Sequence, residues 1–385
     1  MAYDKVVDSA SLDSKLTQVA DAIRTKGDTS ADLQFPSGFI SAIQAIQTGT
    51  ELKIIVSVTS GATVTATKGS KVVSGASVNG TCTLVVPEEG EWTVSATLGG
   101  ETSKSNVVNV TSSYDTTLVF ISPILNDNSW ETIREISDAG TGENFWSIGD
   151  RKEVTLNGTV GALTLSNYTT YAFIIGFNHN AELEGSNRIH FQLAKTALSG
   201  GTDVCFCDDE YAPESEWSRP GAGYFVMNAS NTNSGGWKSS QMRTNICGTS
   251  LSSYSGTIIA VIPAALRAVL KSVTKYTDNT ANGGSTASYV TATTDYFFLL
   301  SEFEVFGSIS YGNTNEKNKQ AQYAYYSAGN SKIKYKHNRT SVAALYLLRS
   351  PQAGASDRFV YINTDDTHNA TVAGCSLGFA PGFCV

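Results

Sequence analysis

The spacing at which apolar residues recur changes twice along this 385-residue chain. Over residues 1–50 they return every three to four positions, as on one face of a helix. From residue 51 to 114 they alternate with polar residues, as in strands. After residue 115 neither period persists, and aromatic residues become frequent. We therefore predict a multidomain chain with regions 1–50, 51–114 and 115–385.

The first region predicts two short amphipathic helices, in "SLDSKLTQVADAIRTK" and "FPSGFISAIQAIQTG". A helical hairpin of this kind either rests on the domain that follows or serves attachment and oligomerisation, and we favour the second interpretation. The apolar faces comprise Leu12, Leu16, Val19 and Ile23 in the first helix and Phe39, Ile43 and Ile46 in the second.

The second region reads as a small all-β sandwich. Six or seven short Val/Thr/Ile runs are separated by turn signals such as "KGS", "VNG" and "EEG". This pattern is typical of an immunoglobulin-like (Ig-like) architecture, with Trp92 as the expected core aromatic. The region contains no histidine, and we interpret it as a spacer.

The third region predicts an α+β domain with few helices. Its strand-like runs are "YAFIIGF", "RIHFQLAK", "TIIAVI", "DYFFLLSEFEVFG" and "RFVYINT", and "PAALRAVLKSVTKYT" shows a helical period. The end of the chain carries large apolar residues in "LYLLRSP" and "GFAPGFCV". Because most termini lack such residues, we expect this segment to pack into the core.

Charge and composition exclude several classes of protein. The chain has 27 Lys and Arg residues but 35 Asp and Glu residues, and it contains no long basic block. This composition argues against nucleic-acid binding. No apolar run reaches the ~18 residues of a membrane span, and the start lacks a secretory signal, so we expect neither membrane insertion nor export by the usual secretory route. The six cysteines are too sparse for a disulfide framework, and free thiols are expected.

Sites for chemistry are scarce. His179, Glu182, Glu184 and His190 lie within twelve positions, but their spacing matches no metalloprotease motif. We favour a strand histidine and an acidic surface loop over a metal site there, and predict neither metal nor cofactor. No nucleophile motif occurs. A carboxylate pair for glycan cleavage between Asp203 and Glu216 stays open as an alternative.

Loops in the third region combine Tyr, Asn, Ser and Gly, the composition that binding loops use. This combination is densest in the last forty residues and around "GGWKSSQMRTN". The candidate ligand-binding residues are Trp237, Gln352, Ser356, Arg358, Tyr361, Asn363, Asp365, Asp366, His368 and Asn369.

Two segments resemble known families. The start, with L-x-x-V-A-D-A-I-R-x-K followed by F-P-x-G-F-x-x-A-I, resembles the N-terminal segment of tail-associated proteins of bacteriophages and prophages of Firmicutes. The match covers some thirty-five positions. In that family the segment precedes Ig-like modules and a variable receptor-binding domain.

The third region resembles uncharacterised domains of gut phages and surface proteins. It carries "WSIGD", "GFNHN", a W-x-x-S-x-x-R run, "KYTD", "LRSP" and a closing G-F-x-P-x-F-C. Those domains are similar to the C-type lectin fold, which is found in formylglycine-generating enzymes and in the variable proteins of diversity-generating retroelements. The formylglycine-generating enzymes require a pair of reactive cysteines, and this sequence shows no recognisable version of that site. The resemblance therefore does not imply catalysis.

In the variable retroelement proteins the ligand surface lies after a turn that resembles R-S-P. In this sequence the corresponding segment runs from Gln352 to Asn369. The resemblances together imply a phage tail fibre protein of the virion, synthesised in the host cytoplasm, that binds a glycan or protein receptor on the bacterial surface. The implied partners are other tail or baseplate proteins, and the implied assembly is a homotrimer. A structural baseplate or decoration protein, or a surface-glycan depolymerase, is the alternative.

Overall fold

The computed structural model describes residues 9–27, 30–45, 51–211, 223–281 and 283–385. The chain divides into two compact units, residues 1–121 and 122–385. The prediction of a multidomain chain with a short helical start is confirmed, and the chain holds more strand than helix. Among the described residues no helix is long and apolar enough to cross a membrane.

The first unit begins with a helical pair, α1 (Ser9–Lys26) and α2 (Ser37–Ala45). Ala20, Ile23 and Phe39 form its small core. The rest of the predicted apolar faces is more open: Leu16 is half-buried and packs against this core, while Leu12, Val19 and Ile43 are 44%, 47% and 54% exposed. Ile46 lies outside the described residues.

Two sheets follow in the first unit and share one core, in which Trp92 is fully buried. One sheet has the order β4–β1–β8, and the other β3–β2–β5–β6 with β7 also on β5. The expected boundary between residues 114 and 115 falls inside β8, which pairs in parallel with β1. The strands are β1 (Lys53–Ser57), β2 (Thr63–Lys68), β3 (Lys71–Ala76), β4 (Thr81–Val85), β5 (Gly90–Leu98), β6 (Glu101–Thr102), β7 (Asn106–Val110) and β8 (Ser113–Thr117).

The second unit mixes short helices with strands. Its described helices are α3 (Trp130–Asp138), α4 (Ala181–Glu184), α5 (Gly236–Ser239), α6 (Ile258–Val261), α7 (Ala264–Val269), α8 (Glu302–Phe306) and α9 (Ala324–Ser327). Its described strands are β9 (Arg151–Val160), β10 (Leu163–Phe177), β11 (Ile189–Lys195), β12 (Val204–Cys205), β13 (Val273–Asp278), β14 (Val290–Asp295), β15 (Phe297–Phe298), β16 (Lys334–Lys336), β17 (Arg339–Ala344), β18 (Tyr346–Pro351), β19 (Arg358–Ile362), β20 (His368–Val372) and β21 (Gly382–Cys384).

The main sheet of the second unit is antiparallel with the order β15–β21–β11–β10–β9. A three-stranded meander, β18–β19–β20, carries most of the C-terminal segment. The hydroxyl of Ser129 caps α3, whose Trp130 packs edge-on against Phe191 and Phe383 of the main sheet. The predicted burial of the C-terminal segment is confirmed, because residues 344–351 and 373–385 are buried throughout.

Three predictions of secondary structure in this unit are wrong in whole or in part. In "DYFFLLSEFEVFG", predicted as a strand, Glu302–Phe306 forms the helix α8. The run "TIIAVI" forms the short helix α6 rather than a strand. The predicted helix in "PAALRAVLKSVTKYT" ends at Val269, and β13 begins at Val273. Its second half is rich in β-branched residues, which favour a strand once a partner is present, and β14 supplies six paired positions.

Candidate functional site

Four charged side chains form the centre of the second unit: Glu184, Lys275, Glu304 and Arg349, the buried charge cluster. The ammonium of Lys275 donates to Glu184 Oε2 at 2.6 Å and to Glu304 Oε1 at 2.9 Å. Arg349 donates to both oxygens of Glu304, with Nη2 2.8 Å from Oε1. Two cations therefore balance two carboxylates where each of the four is at most 2% exposed.

Electrostatics in this cluster oppose burial. Burial disfavours the charge of Glu304, but the positive charges of Arg349 and Lys275 outweigh it and hold the pKa of this carboxyl well below its usual range. Arg349 keeps its charge because the attraction of Glu304 outweighs burial and raises its pKa. A buried pair of this kind adds little net stability, but losing one partner leaves an uncompensated charge.

A second layer of buried polar groups continues from the cluster. Glu302 accepts backbone N–H groups from Ser310 and Gly312 at 2.6 and 2.7 Å, and His368 Nε2 lies 2.8 Å from it. Burial opposes the charge of Glu302, but His368 and these N–H groups lower its pKa. Glu316 accepts from Ser350 Oγ at 2.9 Å, yet its burial raises its pKa to about 7.

The W-x-x-S-x-x-R run also has a structural role. The indole N–H of Trp237 donates to Asp295 Oδ2 at 3.0 Å, and Arg243 Nε donates to Asp295 Oδ1 at 2.6 Å. The hydroxyl of Ser240 links the two by donating to the carbonyl of Trp237 and accepting from Arg243 N. Trp237 is fully buried, so its prediction as a ligand-binding residue is wrong.

Three of the residues considered as metal ligands from the sequence lie close together: His179, Glu184 and His190. Their ligand atoms are within 4.8 Å of one another. The predicted acidic surface loop is only half right, because Glu182 is exposed while Glu184 is buried. Glu184 Oε2 already accepts from Lys275, and His179 Nδ1 lies 3.2 Å from it. Because the Lys275 ammonium already supplies the positive charge beside Glu184, we interpret these three residues as structural neighbours of the buried charge cluster and not as a metal site.

His190 stays neutral in this environment. Burial is the main cause that lowers its pKa well below the usual value, and the charge of Lys275 adds to it. Its Nδ1 lies 3.1 Å from the hydroxyl of Tyr323, which accepts from Lys275 at 2.8 Å. Nε2 of the same ring is buried and has no hydrogen-bond partner among the described residues.

Of the described carboxylates in the stretch from Asp203 to Glu216, Asp203 and Asp208 are engaged by other groups, whereas Asp209 and Glu210 are exposed. Asp203 pairs with Lys195, and Asp208 accepts the N–H groups of Tyr224 and Phe225 at 2.8 and 2.9 Å. Glu214 and Glu216 of the proposed acidic pair lie outside the described residues.

All six cysteines are free and buried. Cys375 accepts from Thr371 Oγ1, whereas Cys384 Sγ lies 3.3 Å from His190 Nδ1. Burial raises the pKa of Cys384 to about 12, which keeps its thiol protonated and poorly nucleophilic.

The predicted ligand segment forms two turns. The first turn, residues 352–357, joins β18 to β19 and is held from below by Asn233. The buried Asn233 amide donates to the carbonyls of Ala355 at 2.8 Å and Arg358 at 3.1 Å. Ser356 is exposed on this turn and Arg358, the first residue of β19, is exposed next to it, while Gln352 is half-buried.

The second turn, residues 363–367, joins β19 to β20. Asp365 accepts the N–H of Thr367 at 3.1 Å, and Asn363 donates to the Thr367 hydroxyl at 2.7 Å. Asp366 adopts a positive φ of 71° and accepts the N–H of Lys332 at 2.5 Å. The turn is therefore fixed by its own short polar side chains.

The residues predicted as one ligand face are not continuous. The two turns lie at opposite ends of β19, roughly 15 Å apart for a five-residue strand. Between them Tyr361 is fully buried, so the assignment of Tyr361 as a ligand-binding residue is wrong. His368 stacks on Phe306 at 4.0 Å and mainly supports the second turn, whereas Asn369 is exposed beside it.

Sequence reasoning missed Asn233 and Glu302, which position the two turns. Both are fully buried polar residues. The only signal in the sequence is their context: Asn233 lies in the polar run "NASNTNSGG", and Glu302 begins the apolar-acidic run "EFEVF". Neither pattern distinguishes a buried acceptor or donor from a solvated one.

Replacing Glu304 by Gln should destabilise the second unit by about 3–5 kcal/mol, because Lys275 and Arg349 then share too little negative charge. Denaturant unfolding of the full chain measures this. Glu182→Gln, an exposed change on α4, should alter the free energy of unfolding by less than about 0.5 kcal/mol. Equal effects of the two changes would contradict the central role of Glu304.

Glu316 predicts a pH dependence of stability. Its folded pKa of about 7 exceeds the usual value of 4.5, so its contribution is complete below pH 4.5 and is lost as the pH rises through 7. Relative to Glu316→Gln, the wild-type chain should lose about 3 kcal/mol of unfolding free energy across this window. A constant difference between the two proteins from pH 4.5 to 8 would show that Glu316 is not shifted.

Comparison with known families concerns the second unit. Residues 223–385 match the model of a family described as a domain of unknown function (DUF6273). No curated protein matches the chain. The matched segment contains both turns, Asn233, Trp237 and three members of the buried charge cluster, whereas Glu184 lies before it. The chain is thus similar to this family over the part that carries the two turns and most of their buried support.

Proposed function

We propose that the chain is a phage or prophage tail protein that attaches the virion to a bacterial surface through its second unit, without turnover of the receptor. The observation that carries this proposal is the pair of polar turns on a rigid support. The buried Asn233 holds the first turn, and the second turn is fixed by its own side chains beside His368, which pairs with the buried Glu302. Binding sites are commonly built as variable loops on a rigid scaffold. The receptor would be a surface glycan or protein.

The order of the regions supports the same role. A helical start resembling phage tail proteins precedes a two-sheet module and then the second unit. We propose that the module, with Trp92 in its core, is an Ig-like spacer and that the second unit is C-type-lectin-like. From the resemblance we infer that the chain is synthesised in the host cytoplasm and becomes part of the virion tail, beside other tail or baseplate proteins.

The helical pair supports an attachment role. The two helices share only a small core, and five apolar residues on them or in the turn before α2 are between 44% and 62% exposed: Leu12, Val19, Phe35, Ile40 and Ile43. A cluster of exposed apolar side chains on a short element marks a surface that associates. We propose that copies of this segment associate, as a homotrimer, or dock on the tail.

Cell binding tests the receptor role. Labelled full-length protein should bind intact Firmicutes cells from a strain panel. Because only exposed side chains are changed, Ser356→Ala with Arg358→Ala, or Thr364→Ala with Asn369→Ala, should weaken binding without affecting folding. A loss of about tenfold or more is expected for the turn that meets the receptor.

The matched control is Arg339→Ala, an exposed arginine on β17. If neither double variant weakens binding, the turns are not the receptor site. If wild-type protein binds no strain of the panel, a structural role in the baseplate gains support. Release of soluble saccharide from the cells would instead favour the depolymerase.

The oligomeric state tests the role of the helical pair. Ile40→Asp with Ile43→Asp places two charges on its exposed apolar surface and should shift the full-length protein towards monomer in sedimentation velocity. Ser41→Asp with Gln44→Asp adds the same charges at exposed polar positions of α2 and should leave the distribution unchanged. A wild-type monomer at all concentrations would contradict self-association.

A further inference from the structure

A pocket of about 420 Å³ in the second unit concentrates positive charge. It lies between the end of α3, the turn before β11 and the segment before β13, and Arg134, Arg188 and Lys271 line it. Asp138 is the one carboxylate among its lining residues. The lining side chains therefore sum to two positive charges in a chain whose net charge is −8.

Each of the two arginines is held by two hydrogen bonds and still has donor groups available. Arg188 donates through Nε to Ser272 O at 2.9 Å and through Nη1 to Ser186 O at 2.7 Å. Arg134 donates through Nε to Asp138 Oδ2 at 2.8 Å and through Nη1 to Val269 O at 3.0 Å. The Nη2 group of each donates to no described residue, so two fixed donors are left for a ligand.

The position of Arg188 depends on a glycine. Gly185 has a φ of 104°, and a Cβ atom at this position would collide with the Arg188 guanidinium. The backbone therefore leaves room for the guanidinium to lie against the turn. Preorganised arginines of this kind lose little entropy when they bind an oxyanion.

Lys271 supplies charge rather than a free donor. Its ammonium donates to Ser137 Oγ at 3.0 Å and Asn187 O at 2.5 Å, and it pairs with Asp138 Oδ1 at 2.6 Å. Burial is the main cause that lowers its pKa; Asp138 opposes this, and the nearby charges of Arg134 and Arg188 lower it further. Positive potential thus accumulates at this place.

We propose that this pocket binds the phosphate group of a phosphorylated sugar or polyol. A phosphomonoester carries between one and two negative charges at neutral pH, which matches the two net positive charges better than a carboxylate does. The two free guanidinium donors suit its oxygens. Tyr296, half-buried in the lining, and the remaining volume provide space and contacts for the hydroxylated part of the ligand.

Isothermal titration of the full chain with glucose 6-phosphate at pH 7.5 and low salt tests this site. We expect saturable binding of one ligand per chain, and weaker binding of inorganic phosphate and of glucuronate. Unsubstituted glucose should not bind measurably. Absence of saturable binding overturns the proposal. Equally tight inorganic phosphate overturns the assignment to a phosphate ester, and equally tight glucuronate overturns the charge argument.

Variants locate the binding. Arg188→Gln and Arg134→Gln should each weaken glucose 6-phosphate binding by about tenfold or more, because each removes a charged donor. Arg339→Gln makes the same charge change outside the pocket and should leave the dissociation constant unchanged. Unfolding curves show which variants fold; Arg134, with a side chain one-third exposed, is the safer change. Equal binding by Arg134→Gln and the wild-type protein overturns the proposal.

This inference does not depend on the proposed phage role. The pocket residues lie outside both turns, so loss of cell binding on changing a turn leaves the titration with glucose 6-phosphate unaffected. Failure of one experiment is therefore distinguishable from failure of the other.

Discussion

The carboxylate of Glu304 holds three separate parts of the second unit together. It accepts the N–H of Ser301 at the start of α8, the ammonium of Lys275 from β13 and the guanidinium of Arg349 from β18. Lys275 and Arg349 lie 29 and 45 residues from it along the chain. Glu304 meets both cations and Glu184 supplies the second negative charge, so α8, β13 and β18 are held together by charge pairs that balance one another.

The short sequence motifs of the second unit gain a common explanation from this arrangement. In "KYTD" Lys275 enters the cluster, while Thr277 accepts from Arg349 Nε at 2.8 Å. In "LRSP" Arg349 pairs with Glu304 and Ser350 with Glu316. These motifs specify how the frame is assembled. Exposed residues in and beside the two turns, such as Ser356 and Asn369, lie outside these motifs.

The sequence predicted the broad organisation and much of the core. Period changes located the helical start and the β-rich module, and the apolar C-terminal segment is buried as expected. The sequence could not separate polar residues that face water from those that meet a distant partner. Glu184 and Glu302 look like surface acids until Lys275 and His368, 91 and 66 residues away, are placed beside them.

Local period also failed where a tertiary partner decides the structure. Residues 273–278 keep a helical apolar spacing, yet β14 pairs with them as a strand. Likewise, Tyr361 belongs to a segment rich in polar residues, but β19 lies between β18 and β20 and has both faces covered. A segment of alternating turn and strand cannot be read as one surface from composition alone.

The position of β21 has a consequence for how the protein is made. This strand lies second from one edge of the main sheet, between β15 and β11, and Cys384 meets His190 across 194 residues of chain. During synthesis one edge of β11 therefore stays unpaired until β21, near the end of the second unit, has left the ribosome. Contacts of such long range slow folding, and open strand edges invite aggregation. Interrupted translation would release a chain that lacks the strand joining β15 to β11.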